Sequence, residues 1–209
     1  MKLKKIMKPR VPVVENGTYL AVCVGVVFIG EQYIDRSAFG KGSSYEHQVV
    51  FVWDLPFELD SEGKPKQLSK DINATSAPNG TLNSIMEAWN SRTYTREDLE
   101  DAELTGQLGK ACQLTVVVSE SGYSNVKAVA ALPKGIPVPE TNTTYFEFNV
   151  DEWDDEAFKS LPEWVQDKIK KSTQYKTLHT PADEIDFQKD TPVAPPQEAP
   201  VNEKESCPI

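Results

Sequence analysis

The chain has 209 residues, enough for one main domain with appendages, and carries 22 Lys/Arg against 32 Asp/Glu for a formal charge of −10. The charge is uneven: residues 1–137 hold 15 Lys/Arg against 16 Asp/Glu, and residues 138–209 hold 7 against 16, so the acidic total does not exclude a nucleic-acid-binding body. Three widely spaced cysteines, Cys23, Cys112 and Cys207, argue against a disulfide framework and for a reducing, cytoplasmic compartment.

The first ten residues carry Lys2, Lys4, Lys5, Lys8 and Arg10. Residues 1–12 read either as a solvated basic terminus or as an arm that contacts phosphates. The apolar run over 19–29 mimics a signal-peptide core, but Pro9, Pro12, Glu15, Asn16 and Gly17 precede it and no small-residue cleavage site follows. It is also too short to span a bilayer, so no membrane association is expected. Without secretion the sequons at Asn16, Asn73, Asn79 and Asn142 are idle.

A turn at Glu15-Asn16-Gly17 opens a first strand over 18–29, where the internal Gly25 predicts a bulge or sharp bend. Residues 30–45 read as a polar loop. A second strand covers 46–55 and ends at Pro56; after a turn at 60–63, a polar third strand covers 67–75. Thr81 is a candidate helix cap. Leu82, Ile85, Met86 and Trp89 follow at i, i+3, i+4 and i+7, one apolar helical face. Thr95-Arg96-Glu97-Asp98 resembles a capping box and opens a short helix through Leu104. A fourth strand over 112–119, a hairpin turn at Ser121-Gly122 and a fifth strand over 124–132 complete the order β-β-β-α-β-β. That order, with a bent first strand, predicts a mainly-β fold with some α: a five-stranded OB-fold barrel over 13–137.

A barrel of this kind binds single strands with aromatic rings for bases and cations for phosphates. The loop over 30–45 offers Tyr33, Arg36, Phe39, Lys41 and Tyr45 in one aromatic–basic stretch, and the second strand adds Trp53. Lys64, Lys66 and Lys70 come from the following turn and strand, and Tyr123 and Lys127 from the last hairpin. The predicted stacking residues are Tyr33, Phe39, Tyr45 and Trp53, and the predicted phosphate contacts Arg36, Lys41, Lys64, Lys66, Lys70 and Lys127. Phe51 and Trp53 also fit the core of a barrel strand, and Trp89 completes the helical core stripe. No metal site is expected, because His47 and His179 are isolated. No P-loop or dinucleotide glycine pattern occurs, so no cofactor and no catalytic residue are expected. The acidic runs 97–103 and 151–156 read as solvated charge.

Residues 138–178 form a connector that is too apolar for free linker. Leu161-Pro162-Glu163-Trp164-Val165 starts a short helix with Pro near its first turn, and the segment is expected to dock on the barrel or on a second subunit, which leaves a homo-oligomer open. Residues 179–209 are acidic and Pro-rich and are expected to be disordered. Ile185 and Phe187 sit among carboxylates, and Pro208-Ile209 closes the chain. These four are the predicted partner-binding residues. The end is similar to the acidic tip of bacterial single-stranded-DNA-binding proteins, which recruits replication and repair enzymes, although Ile209 replaces the aromatic and Ser206 and Cys207 stand where acids would be.

Leu108-Gly109-Lys110-Ala111-Cys112, Tyr123-Ser124-Asn125-Val126, Leu132-Pro133-Lys134-Gly135, Gly17-Thr18-Tyr19-Leu20-Ala21 and 161–169 resemble a family of phage-encoded proteins from replication and recombination modules. The resemblance covers about residues 10–175. It implies an OB-fold, non-enzymatic single-stranded-DNA-binding protein that coats DNA in the host cytoplasm and recruits replication or recombination proteins through its tail. The alternative from another class is an acidic interaction module or DNA mimic that inhibits a host nucleic-acid enzyme.

Overall fold

A computed structural model describes residues 13–179. Six strands form one sheet: β1 (Gly17–Ile34), β2 (Ser44–Leu59), β3 (Pro65–Asn73), β4 (Ala111–Val118), β5 (Ser124–Ala131) and β6 (Phe146–Asn149). Among the described residues five α-helices accompany it: α1 (Thr81–Asn90), α2 (Arg96–Glu100), α3 (Asp155–Ser160), α4 (Glu163–Ile169) and α5 (Thr173–His179). The sheet runs β3-β2-β1-β4-β5, all antiparallel neighbours, with β6 pairing parallel to β1. The two ends of this path, β3 and β5, share no ladder; the ammonium of Lys70 on β3 donates to the Val126 carbonyl on β5 at 2.8 Å.

β1 is the organising strand because it changes partner along its length. Gly17–Val22 pair with β4, and Gly25–Phe28 pair with β6. The change falls at a bulge between Cys23 and Gly25. A bulge adds one residue and so switches which side chains face the core. Ala21 and Cys23 face one apolar cluster, and after the bulge Val26 takes that role while Val24 and Val27 face the other. Gly25 is required by a close approach: a Cβ there would lie 2.4 Å from Phe146 Cζ. Gly25→Val is expected to push β6 off β1 and to cost about 1–3 kcal/mol of stability, the usual range for overpacking. Thermal unfolding measures the loss, and the second-site change Phe146→Ala should recover part of it.

β2 runs past Pro56 to Leu59, where the sequence predicts an end. Pro lacks only the ladder N–H, and β2 has already left β1 after Asp54, while its register with β3 shifts between Leu55 and Leu59. The predicted loop over 30–45 is likewise shorter, because β1 extends to Ile34 and β2 begins at Ser44. β6 is absent from the sequence reading although Phe146-Glu147-Phe148-Asn149 alternates, because the run is only four residues long and its parallel partner, β1, is distant in the chain.

The two faces of the sheet bury separate clusters. On one face Phe51, Trp53, Leu55 and Leu114 meet the α1 stripe of Leu82, Ile85, Met86 and Trp89. Gly80, not Thr81, holds the N-cap position of α1, with no side-chain cap. Thr95 and Asp98 do form a reciprocal capping box on α2, which is five residues long. On the other face Val50, Val52, Val27 and Ile29 lie under Phe148, Phe158, Leu161, Val165 and Ile169 of the connector and its helices. That connector is tied down by Asp54, which is fully buried. The Asp54 carboxylate accepts from the Thr141 and Thr143 hydroxyls and from Gln67 Nε2 at 2.9 Å, so its charge is well solvated by donors. The thiols of Cys23 and Cys112 are buried and unpaired; burial pushes that of Cys23 up to about 12, which makes it a core group and not a nucleophile.

Candidate nucleic-acid interface

The β1–β2 hairpin projects the clearest aromatic pair. Tyr33 and Tyr45 are directly opposite in the ladder, with ring centroids 5.3 Å apart and planes at 58°. They are 40% and 36% exposed, enough to offer ring faces to a ligand. One step toward the sheet, His47 stacks on Phe28 at 5.8 Å and 18°. All four rings therefore sit along one hairpin arm. The sequence places Tyr33 and Tyr45 in a loop; the available signal is the polar–apolar alternation of Ser44-Tyr45-Glu46, which extends β2 back to Ser44, whereas Tyr33-Ile34 on β1 breaks any alternation and only the ladder register pairs the two tyrosines.

The cations of the arm divide. Lys41 is exposed in the connecting loop, which holds a short 3-10 turn at Ser37–Phe39. The Phe39 side chain lies outside what the structure describes. Arg36 folds back on β2, donating from both terminal nitrogens to the Glu46 carboxylate and from one to Ser44 Oγ at 2.9 Å. Asn73 Nδ2 on β3 donates to the same carboxylate. Glu46 is thus a lock that the sequence does not announce, and it occupies the guanidinium predicted to hold phosphate. Hydrogen bonds from Arg36 hold the Glu46 carboxyl down to about 2 against burial, with Ser44, the Arg36 charge and Asn73 adding to them.

A carboxyl depressed on folding stabilises above its ordinary pKa, and the stabilisation is lost as pH falls toward the depressed value. Glu46→Gln is therefore expected to cost about 1–2 kcal/mol near pH 7, discounted for its partial exposure, with the gap to the parent closing as pH falls from 4.5 toward 2. Urea unfolding at pH 7 and pH 3 checks this. The same change releases Arg36 and removes a negative charge, so it should raise affinity for an oligonucleotide about 3-fold, as one added phosphate contact would.

Trp53 corrects the sequence reading. It is fully buried, stacked on Phe51 at 5.8 Å and beside Trp89 at 5.8 Å, because Val49, Phe51, Trp53 and Leu55 are the β2 residues that face the α1 core. It cannot stack a base. Lys70 is also turned away from solvent: its ammonium bridges β3 to β5, and desolvation first, then the neighbouring Lys127, lowers its pKa. Lys127 is exposed beside it on β5, and Lys66 is half-buried on β3. Lys64 pairs with Glu62 at 2.9 Å in an exposed turn, a contact of little strength. Tyr123 is 46% exposed at the β4–β5 turn. Lys66 pairs with Leu55 in the β2–β3 ladder and Lys70 with Phe51. Tyr45 lies ten residues from Leu55 along β2, so the predicted residues form a path of about 33 Å and not one patch.

The rest of the surface is acidic. Residues 13–179 contain 15 Lys/Arg and 25 Asp/Glu, a net of −10. The predicted tail residues Ile185, Phe187, Pro208 and Ile209 lie outside the described residues, as does the basic segment 1–12. Among the described residues, no helix is long and apolar enough to cross a membrane, and no group of three or more His, Cys, Asp or Glu is placed to hold a metal ion. No protein-family profile, curated protein or solved structure matches this chain.

Proposed function

We propose that this chain is an OB-type single-stranded-DNA-binding protein that coats unwound DNA in phage replication or recombination without chemistry of its own. The observation that carries the reading is the exposed Tyr33–Tyr45 pair on the β1–β2 hairpin, together with Lys66 on β3 and Lys127 on β5. The barrel assignment is supported by the path β3-β2-β1-β4-β5 with its ends linked through Lys70 and Val126, by the bulge in β1, and by α1 between β3 and β4. Exposed rings stack bases of any sequence, and the cations follow the backbone.

The test is a fluorescence-anisotropy titration of labelled oligo-dT against a duplex control, over a range of salt. Single-strand binding with little duplex binding is expected. Four cations (Lys41, Lys64, Lys66 and Lys127) remain outward, so log K against log salt should have a slope of about −3, at about 0.7 per contact for single strands. No binding at low salt overturns the reading. The net −10 of residues 13–179 favours a second reading, an acidic module that occupies the basic groove of a nucleic-acid enzyme. Under that reading the oligonucleotide does not bind at any salt, and the protein competes with DNA for such an enzyme.

A further inference from the structure

We propose that the hollow between β1, β6, the start of α3 and the 3-10 turn at Leu104–Gln107 receives the basic segment 1–12 of a second copy of this chain. The inference does not rest on DNA binding. The hollow, of about 580 Å³, is floored by Val26, Phe28 and Phe148 and edged by Glu103, Glu147 and Glu152, and none of its lining residues is basic. The three edge carboxylates have no hydrogen bond or ion pair among the described residues. An apolar floor inside uncompensated negative charge selects an occupant that carries apolar and cationic side chains together.

The chain itself holds such a segment. Residues 1–10 carry five cations and no acid, a combination found nowhere else in the chain, and Leu3, Ile6 and Met7 lie among the lysines. The opposite end, 180–209, holds seven Asp/Glu against two Lys and would be repelled by the acidic edge. Residues 13–179 sum to −10, so two bodies repel each other and the basic segment supplies the attraction between them. Position favours a second copy over the segment's own hollow. The segment meets the body at Val14, whose N–H donates to Ser124 Oγ on β5 at 3.1 Å. Val26 lies twelve residues further on, mostly in β1, or about 40 Å along the strand. Leu3, the farthest apolar position, precedes Val13 by ten residues and reaches at most about 35 Å. A head-to-tail neighbour brings segment and hollow together without that extension, and an interface between two different patches propagates into open chains of subunits.

The test is sedimentation velocity of the full chain without DNA, over a wide range of concentration and salt. Concentration-dependent self-association is expected, weakened by added salt because opposite charges carry it. Leu3→Ser with Ile6→Ser, which changes no residue of the described core, should weaken it at least about 10-fold through lost apolar burial. Glu103→Lys with Glu152→Lys should do the same by charge repulsion at an unchanged melting temperature. Glu62→Lys with Glu120→Lys, an equal change of charge at distant turns, should not weaken it. The decisive sample mixes the first two variants: one keeps its hollow and the other keeps its basic segment, so the mixture should form a 1:1 dimer and stop there. A parent that stays monomeric at every concentration, as docking of the segment on its own body would give, overturns the proposal. So does self-association that survives either pair of changes, or a mixture that fails to dimerise.

Discussion

Replacing Tyr33 and Tyr45 together by alanine should lower affinity for oligo-dT about 100-fold, since base–aromatic stacking is worth roughly 1–3 kcal/mol per base. The pair is suited to this because both rings are substantially exposed and fixed opposite each other across a ladder. The strand backbone, not a mobile loop, sets their spacing, so little ordering entropy opposes ligand binding. The structural effect of the change is small: a cross-strand aromatic pair contributes about 0.2–1 kcal/mol, so the double variant remains folded. Tyr33→Phe with Tyr45→Phe keeps the ring faces and should bind within about 2-fold of the parent, which separates stacking from hydroxyl contacts. Anisotropy titration at one salt concentration, with thermal unfolding alongside, reads both outcomes. Unchanged affinity in the alanine variant would remove the hairpin from the binding surface and with it the main support for a coating role.

The sequence conveys those parts of the fold that depend on local chemistry. Gly25 marks the bulge because a glycine inside a long valine-rich strand signals a bulge or a close approach, and here it serves both, while Thr95–Asp98 marks a cap because the reciprocal bonds are made within four residues. The α1 stripe is visible because its period is 3.6. What the sequence hides depends on distant partners. Glu46 meets Asn73 across a ladder, Asp54 meets Thr141 and Thr143 nearly ninety residues away, and β6 exists because β4 leaves β1 free beyond Val22. The candidate site shows the same division. Its aromatic and basic composition is legible, but which members point outward is not: Arg36 and Lys70 are taken by Glu46 and by Val126, and Trp53 by the core. Residue type selects for both base stacking and barrel cores, so an aromatic on a two-sided strand is ambiguous until the second face is known.

Trp53 resolves that ambiguity experimentally. Trp53→Ala should cost about 3–5 kcal/mol, the range for emptying a large core site, which is a large share of the 5–15 kcal/mol that holds a typical domain together. The loss is expected to be high within that range because Phe51 and Trp89 both rest on the indole and would face the void. Trp53→Phe should cost only about 1–2 kcal/mol: it leaves a smaller gap and removes the indole N–H, which has no hydrogen-bond partner among the described residues. Neither change should alter oligo-dT affinity by more than about 2-fold once corrected for the folded fraction, whereas a stacking residue would lose about 1–3 kcal/mol of binding. Urea unfolding with a parallel titration below the unfolding transition measures both quantities on the same samples. A Trp53→Phe protein that is fully folded but binds tenfold more weakly would mean that the sheet opens at this strand to admit DNA, and the site would then move from the hairpin arm into the sheet.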